Sequence, residues 1–127
     1  MSRTLHDLLQ KMIGELPGCL HTSVIDEQTG LALAAVSDTD ELDAAGADAF
    51  HNDLYRMTRS ALEALPVEKE PQEIVLRGKQ ATFVSKPIGA TGYIWLVVTE
   101  KETTVGFVQA MMRKHVDAAE DSLAALV

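Results

Sequence analysis

A three-layer α/β/α domain is the fold class this sequence predicts, and three observations predict it. The stretch Tyr93-Ile94-Trp95-Leu96-Val97-Val98-Thr99 carries no charge and is rich in β-branched and aromatic residues, so it reads as a strand. Ile94, Leu96 and Val98 on one side and Tyr93, Trp95 and Val97 on the other are all suited to burial, so both faces of this strand are covered. The rest of the chain divides into short strand patterns that can flank it and three helical patterns that can lie above and below.

Taken in order, Leu5, Leu8, Leu9, Met12, Ile13 and Leu16 recur at helical spacing, with Thr4 as N-cap, and Pro17-Gly18 ends the helix. Cys19 to Asp26 and Leu31 to Val36 form a β-hairpin around the polar turn Glu27-Gln28-Thr29-Gly30. The acidic run Ser37 to Glu41 lacks the Gly and the Glu that a calcium loop needs at its sixth and twelfth positions, which are Asp43 and Ala49 counted from Asp38. It serves instead to cap a long helix from about Leu42 to Leu65, stopped by Pro66. The main apolar stripe of that helix, Gly46, Phe50, Leu54, Met57, Ala61 and Leu65, is expected to cover a sheet face. A weaker stripe of Ala44, His51, Tyr55 and Leu62 lies roughly 100° or more around the helix and calls for a partner.

Val67 to Gln72 reads as a connector, Glu73 to Arg77 as a strand, Gly78-Lys79 as a turn and Gln80 to Lys86 as the next strand. Pro87 and Gly89-Ala90-Thr91-Gly92 turn the chain into the central strand. Beyond Thr99, a polar loop caps a last helix in which Val105, Val108, Met112, Val116, Ala119, Leu123 and Leu126 keep helical spacing. The order α-β-β-α-β-β-β-α fills residues 1–127 as one domain.

Composition excludes several functions. A net charge of −8 with a pI near 4.8 opposes binding to nucleic acid or to an anionic membrane, which requires clustered Lys and Arg. No apolar run is long enough to span a bilayer. The single Cys19 forms no disulfide within the chain, and without an apolar signal run this predicts a cytoplasmic setting. His6, His21, His51 and His115 fall on separate elements without ligand spacing, so no metal site is predicted and the histidines are read as surface or half-buried. Cys19 reads as a buried packing residue, and Met111-Met112 as core or its margin. Gly78-Lys79-Gln80 is no P-loop, and no cofactor or catalytic constellation is predicted.

With its elements in this order, the motif Gly30-Leu31-Ala32-Leu33-Ala34 after the hairpin turn and the passage from Ile94-Trp95-Leu96-Val97-Val98-Thr99 into Thr104-Val105-Gly106, the chain resembles the roadblock (dynein light chain roadblock) family. The resemblance implies a profilin-like, five-stranded antiparallel sheet in the order 2-1-5-4-3. The first and last helices would then share one face, and the middle helix would take the other. It further implies a non-catalytic dimer that regulates or scaffolds a small Ras-like GTPase or a motor or polarity complex, some bacterial members being GTPase-activating. Ile74, Val75 and Leu76 on an outer strand invite edge-to-edge dimerisation, with His51, Tyr55 and Leu62 of the middle helix meeting a second copy. Arg56, Arg59, Arg77 and Arg113 are available as an arginine finger, yet no motif selects one, so activation would work by reshaping the partner's switch regions. The alternative is a small-molecule-sensing PAS-like or profilin-like regulatory domain, and an enzyme is the third reading.

Overall fold

The computed structural model describes residues 2–40, 43–66 and 73–126. Its elements are α1 (Ser2–Glu15), β1 (Cys19–Asp26), β2 (Ala32–Ser37), α2 (Ala44–Glu63), β3 (Ile74–Arg77), β4 (Ala81–Pro87), β5 (Tyr93–Glu100) and α3 (Val105–Ala124). The five strands form one antiparallel sheet in the order β2-β1-β5-β4-β3. The element order and the sheet order are those expected, and β5 is the central strand.

Register explains why β5 carries no charge from Tyr93 to Thr99. Trp95 and Val97 enter the large core formed with Leu5, Leu9 and Met12 of α1 and with Val108 and Met112 of α3, while Leu96 and Val98 pack on the opposite face with Ile25 and Phe83. The Trp95 indole N–H donates to Thr22 Oγ1 at 2.8 Å, and Thr22 donates in turn to the Leu96 carbonyl at 3.0 Å. The indole's polar end is therefore satisfied inside the sheet, where an unpaired donor would be costly. Gly18, at φ +80°, makes the reversal between α1 and β1, a conformation that a side chain disfavours. Met111, Met112 and Cys19 are buried, as expected.

The strand ends shift by about one residue, and the helix boundaries differ from expectation. Helix α1 already begins at Ser2, so Thr4 lies within it and is not its cap. Helix α2 is capped by Asp43, whose carboxylate accepts the Gly46 N–H at 3.1 Å, and it ends at Glu63 with Ala64 as C-cap. An aspartate one residue before the helix meets the unsatisfied N–H groups of the first turn. Glu41, Leu42 and the connector Val67 to Gln72 lie outside the described residues.

Candidate functional site

The middle helix is turned the other way from expectation. Asp48, His51, Asn52 and Tyr55 face the sheet and are buried, while Phe50 and Met57 are 77% and 69% exposed and Leu65 is also exposed. The apolar stripe predicted to cover the sheet is thus the outward surface. His51 (4% exposed) and Tyr55 (1%), predicted to meet a second copy, are enclosed by the chain's own sheet, and Leu62 is half-buried.

The sheet itself explains the inversion. Its α2-facing side offers His21 and Ser23 from β1 and Ser85 from β4, and buried polar groups must find partners. Asp48 supplies them: its Oδ1 accepts from the Ser23 hydroxyl at 2.8 Å and from His21 Nε2 at 3.0 Å. With Nε2 donating to Asp48, His21 Nδ1 accepts from the Ser37 hydroxyl at 2.7 Å. His51 Nε2 pairs with Ser85 Oγ, its ring stacks on Phe83 at 6.1 Å between centroids, and Asn52 donates to the Glu27 carbonyl at 2.9 Å. Arg59 forms an ion pair with Glu27 and lies over the Tyr55 ring at 5.3 Å. A helix presenting Leu or Phe at these positions would leave several of those sheet groups unpaired.

Burial pushes the His51 imidazole down to about 4, against the opposing pull of the Asp48 charge. On the other side of the sheet, His115 bonds Glu15 at 2.9 Å and ties α3 to α1, holding the Glu15 carboxyl below its usual range. Three of the four histidines are therefore buried and partnered, contrary to the surface reading, and only His6 is exposed.

Ser37, His21 and Asp48 stand in the linear order of a nucleophile, base and orienting carboxylate. The backbone N–H of Asp38, next to Ser37, is engaged by the Leu20 carbonyl at 2.8 Å and does not serve as an oxyanion donor. The three side chains join α2, β1 and β2, which is the role their contacts perform. Sequence reasoning missed this seam because its members are scattered over residues 21 to 85 and share no spacing. A cue was present nonetheless: polar residues alternate as His21 and Ser23 on a strand that must be covered.

The outward stripe of α2 is the candidate interaction surface. At about 100° per residue, Phe50, Leu54, Met57 and Leu65 lie roughly 140° around from the buried stripe, on the side where His51 reaches β4. Beyond β4 lies β3, where Val75 and Leu76 are exposed and Ile74 is half-buried. In the register Ile74↔Ser85 and Leu76↔Phe83, Ile74 and Leu76 fall on the same sheet face as α2. Helix stripe and edge strand therefore form neighbouring parts of one apolar surface.

Among the described residues no group of three His, Cys, Asp or Glu side chains is placed to hold a metal, and no described helix is long and apolar enough to cross a membrane. A surface groove of about 320 Å³ lies beside Pro17, Gly18, Glu100 and Phe107, away from the sheet interior.

A five-stranded antiparallel sheet ordered 2-1-5-4-3, with α1 and α3 on one face and α2 on the other, is a roadblock-like fold. The chain resembles the Roadblock/LC7 domain from Streptomyces avermitilis with a TM-score of 0.82 and 16% identity, over 94% of this chain and 97% of that one. It resembles MglB of Myxococcus xanthus with a TM-score of 0.86 and 13% identity, over 98% and 91% of the two chains. Against MglB in a tetrameric arrangement the TM-score is 0.86 at 16% identity, over 99% and 91%. No protein-family model matches the sequence, and no curated protein matches it.

Proposed function

We propose that the protein is a homodimeric, non-catalytic regulator or scaffold of a small Ras-like GTPase. The observation that carries the dimer is the continuous outward apolar surface of α2 and β3. Isolated exposed apolar side chains are ordinary, but Phe50, Leu54, Met57 and Leu65 beside an edge strand bearing Ile74 and Leu76 on the same face form a patch of the kind that marks an interface. Pairing β3 with a second β3 about a two-fold axis extends the sheet and brings the two α2 stripes together. Burying Phe50 and Met57 there contributes about 1.5–3 kcal/mol each. In this arrangement the helix residues of the interface are Phe50, Leu54 and Met57, with Leu62 at its margin, in place of His51 and Tyr55. The tetrameric arrangement of MglB supports self-association.

The GTPase assignment rests on the roadblock-like fold together with the sequence resemblance. Arg59 is engaged by Glu27 and Tyr55, whereas Arg56, Arg77 and Arg113 are exposed. No geometry here singles out a finger, so acceleration of hydrolysis would come from reorganising the partner's own residues.

Sedimentation equilibrium at micromolar concentration tests the dimer. The wild type is expected to be dimeric, and Phe50→Glu combined with Met57→Glu monomeric with its far-UV circular dichroism retained, because both positions are exposed in the protomer. Val75→Pro, which removes a ladder donor, is expected to dissociate the pair as well. A monomeric wild type overturns the reading. For the partner, GTP hydrolysis by a Ras-like GTPase recovered on the purified dimer is measured with wild type and with Arg56→Ala, Arg77→Ala and Arg113→Ala. Recovery of no GTPase overturns the regulator assignment, and loss of acceleration in one variant with binding intact overturns the finger-free mechanism.

A further inference from the structure

At the opposite edge of the sheet from β3 lies β2. Strand β2 has one neighbouring strand among the described residues, and the run Leu31 to Ser37 contains neither charge nor proline. Edges are ordinarily protected by such residues, since an unprotected edge is a template for pairing. The Asp38 N–H donates to the Leu20 carbonyl, and Val36 pairs with Thr22 and Ala34 with Val24 in the same register. Residues of that parity turn their backbone groups toward β1, so the alternate residues Ala35 and Ser37 direct theirs outward. Both are exposed.

Charge at the two ends selects the occupant. Asp38 and Asp40 follow the strand, and the preceding hairpin carries Asp26, its neighbour Glu27 being paired with Arg59. A second copy pairing antiparallel about Ala35 would set Asp38 opposite Ala32 and carry Asp40 to the other copy's hairpin at Asp26, acid toward acid at both ends. Self-pairing through β2 is thereby opposed. A strand with a basic N-terminal end, running antiparallel to β2, meets the acidic end at Asp38 and Asp40 with opposite charge.

We infer that the β2 edge binds an extended segment of a different protein, apolar or small at its centre and basic at its N-terminal end, by adding it as a sixth strand beside Ala35 and Ser37. This site is separate from the β3 edge and does not depend on the dimer. The probe is a short blocked peptide of alternating Val and Thr preceded by two Lys, with a control in which Glu replaces Lys. Binding is followed by fluorescence anisotropy and by amide hydrogen exchange.

The Lys peptide is expected to bind, with a salt-dependent affinity, and to protect the Ala35 and Ser37 amides. Ala35→Pro removes an outward donor without breaking a bond to β1 and is expected to weaken binding about tenfold with circular dichroism unchanged. Asp38→Lys with Asp40→Lys keeps the backbone edge and is expected to invert the preference between the Lys and Glu peptides, which keeps the test decisive should the proline variant misfold. Absence of binding, equal binding of the two peptides to wild type, or a wild-type self-association removed by Ala35→Pro overturns the inference. Because Val75→Pro acts at the other edge, it is expected to leave peptide binding intact even as it separates the dimer.

Discussion

His51 gives the polar seam a measurable pH signature. Burial takes its pKa from the usual 6.5 to about 4, with the Asp48 charge partly opposing the shift. Between these values the unfolded chain holds a proton that the folded chain lacks, so stability rises with pH across the window and is lost as pH falls through it. At 1.36 kcal/mol per pH unit, the loss between about pH 7 and about pH 4.5 is about 2 to 3 kcal/mol. The perturbation is His51→Gln, which keeps a hydrogen-bonding side chain and removes the titration. Urea unfolding of both proteins at each pH, at one protomer concentration because a dimer's stability depends on it, isolates the term as a difference. Contributions shared by both proteins, such as the Glu15–His115 pair, cancel. The variant is expected to lose less stability than wild type on acidification, by that 2 to 3 kcal/mol. A difference that stays constant across the range would refute the assignment of His51 as a histidine buried in its neutral form.

Asp48→Ala strands the buried His21 Nε2 and Ser23 Oγ together, and chemical denaturation is expected to show a loss of about 2–4 kcal/mol. Gly18→Ala imposes a side chain at φ +80° and drives its Cβ into Thr103 Oγ1, so a loss of about 1–3 kcal/mol is expected in the same assay. Gly92→Ala, with φ +83° but open space around the added Cβ, is expected to cost less, which separates backbone strain from collision. Burial pushes the Cys19 thiol up to about 12, so alkylation near pH 8 is expected to be slow in native protein and fast in urea; rapid labelling of the folded chain would contradict the packing described.

The elements and the centre of the sheet are legible in the order of residues along the chain. Periodicity of three and four located α1 and α3, because apolar side chains on those helices meet a mostly apolar sheet face at Trp95 and Val97. The unbroken run from Tyr93 to Thr99 located β5, because only a strand covered on both faces can carry it. Tertiary structure decided which side of α2 faces inward. Hydropathy ranked Phe50, Leu54 and Met57 as the buried stripe, yet the sheet beneath presents His21, Ser23 and Ser85, whose hydrogen-bonding groups must be satisfied once water is excluded. Asp48 and His51 satisfy them, and the more apolar stripe is left for an outer surface. That match depends on residues brought together from β1, β2, β4 and α2, and no spacing along the chain encodes it.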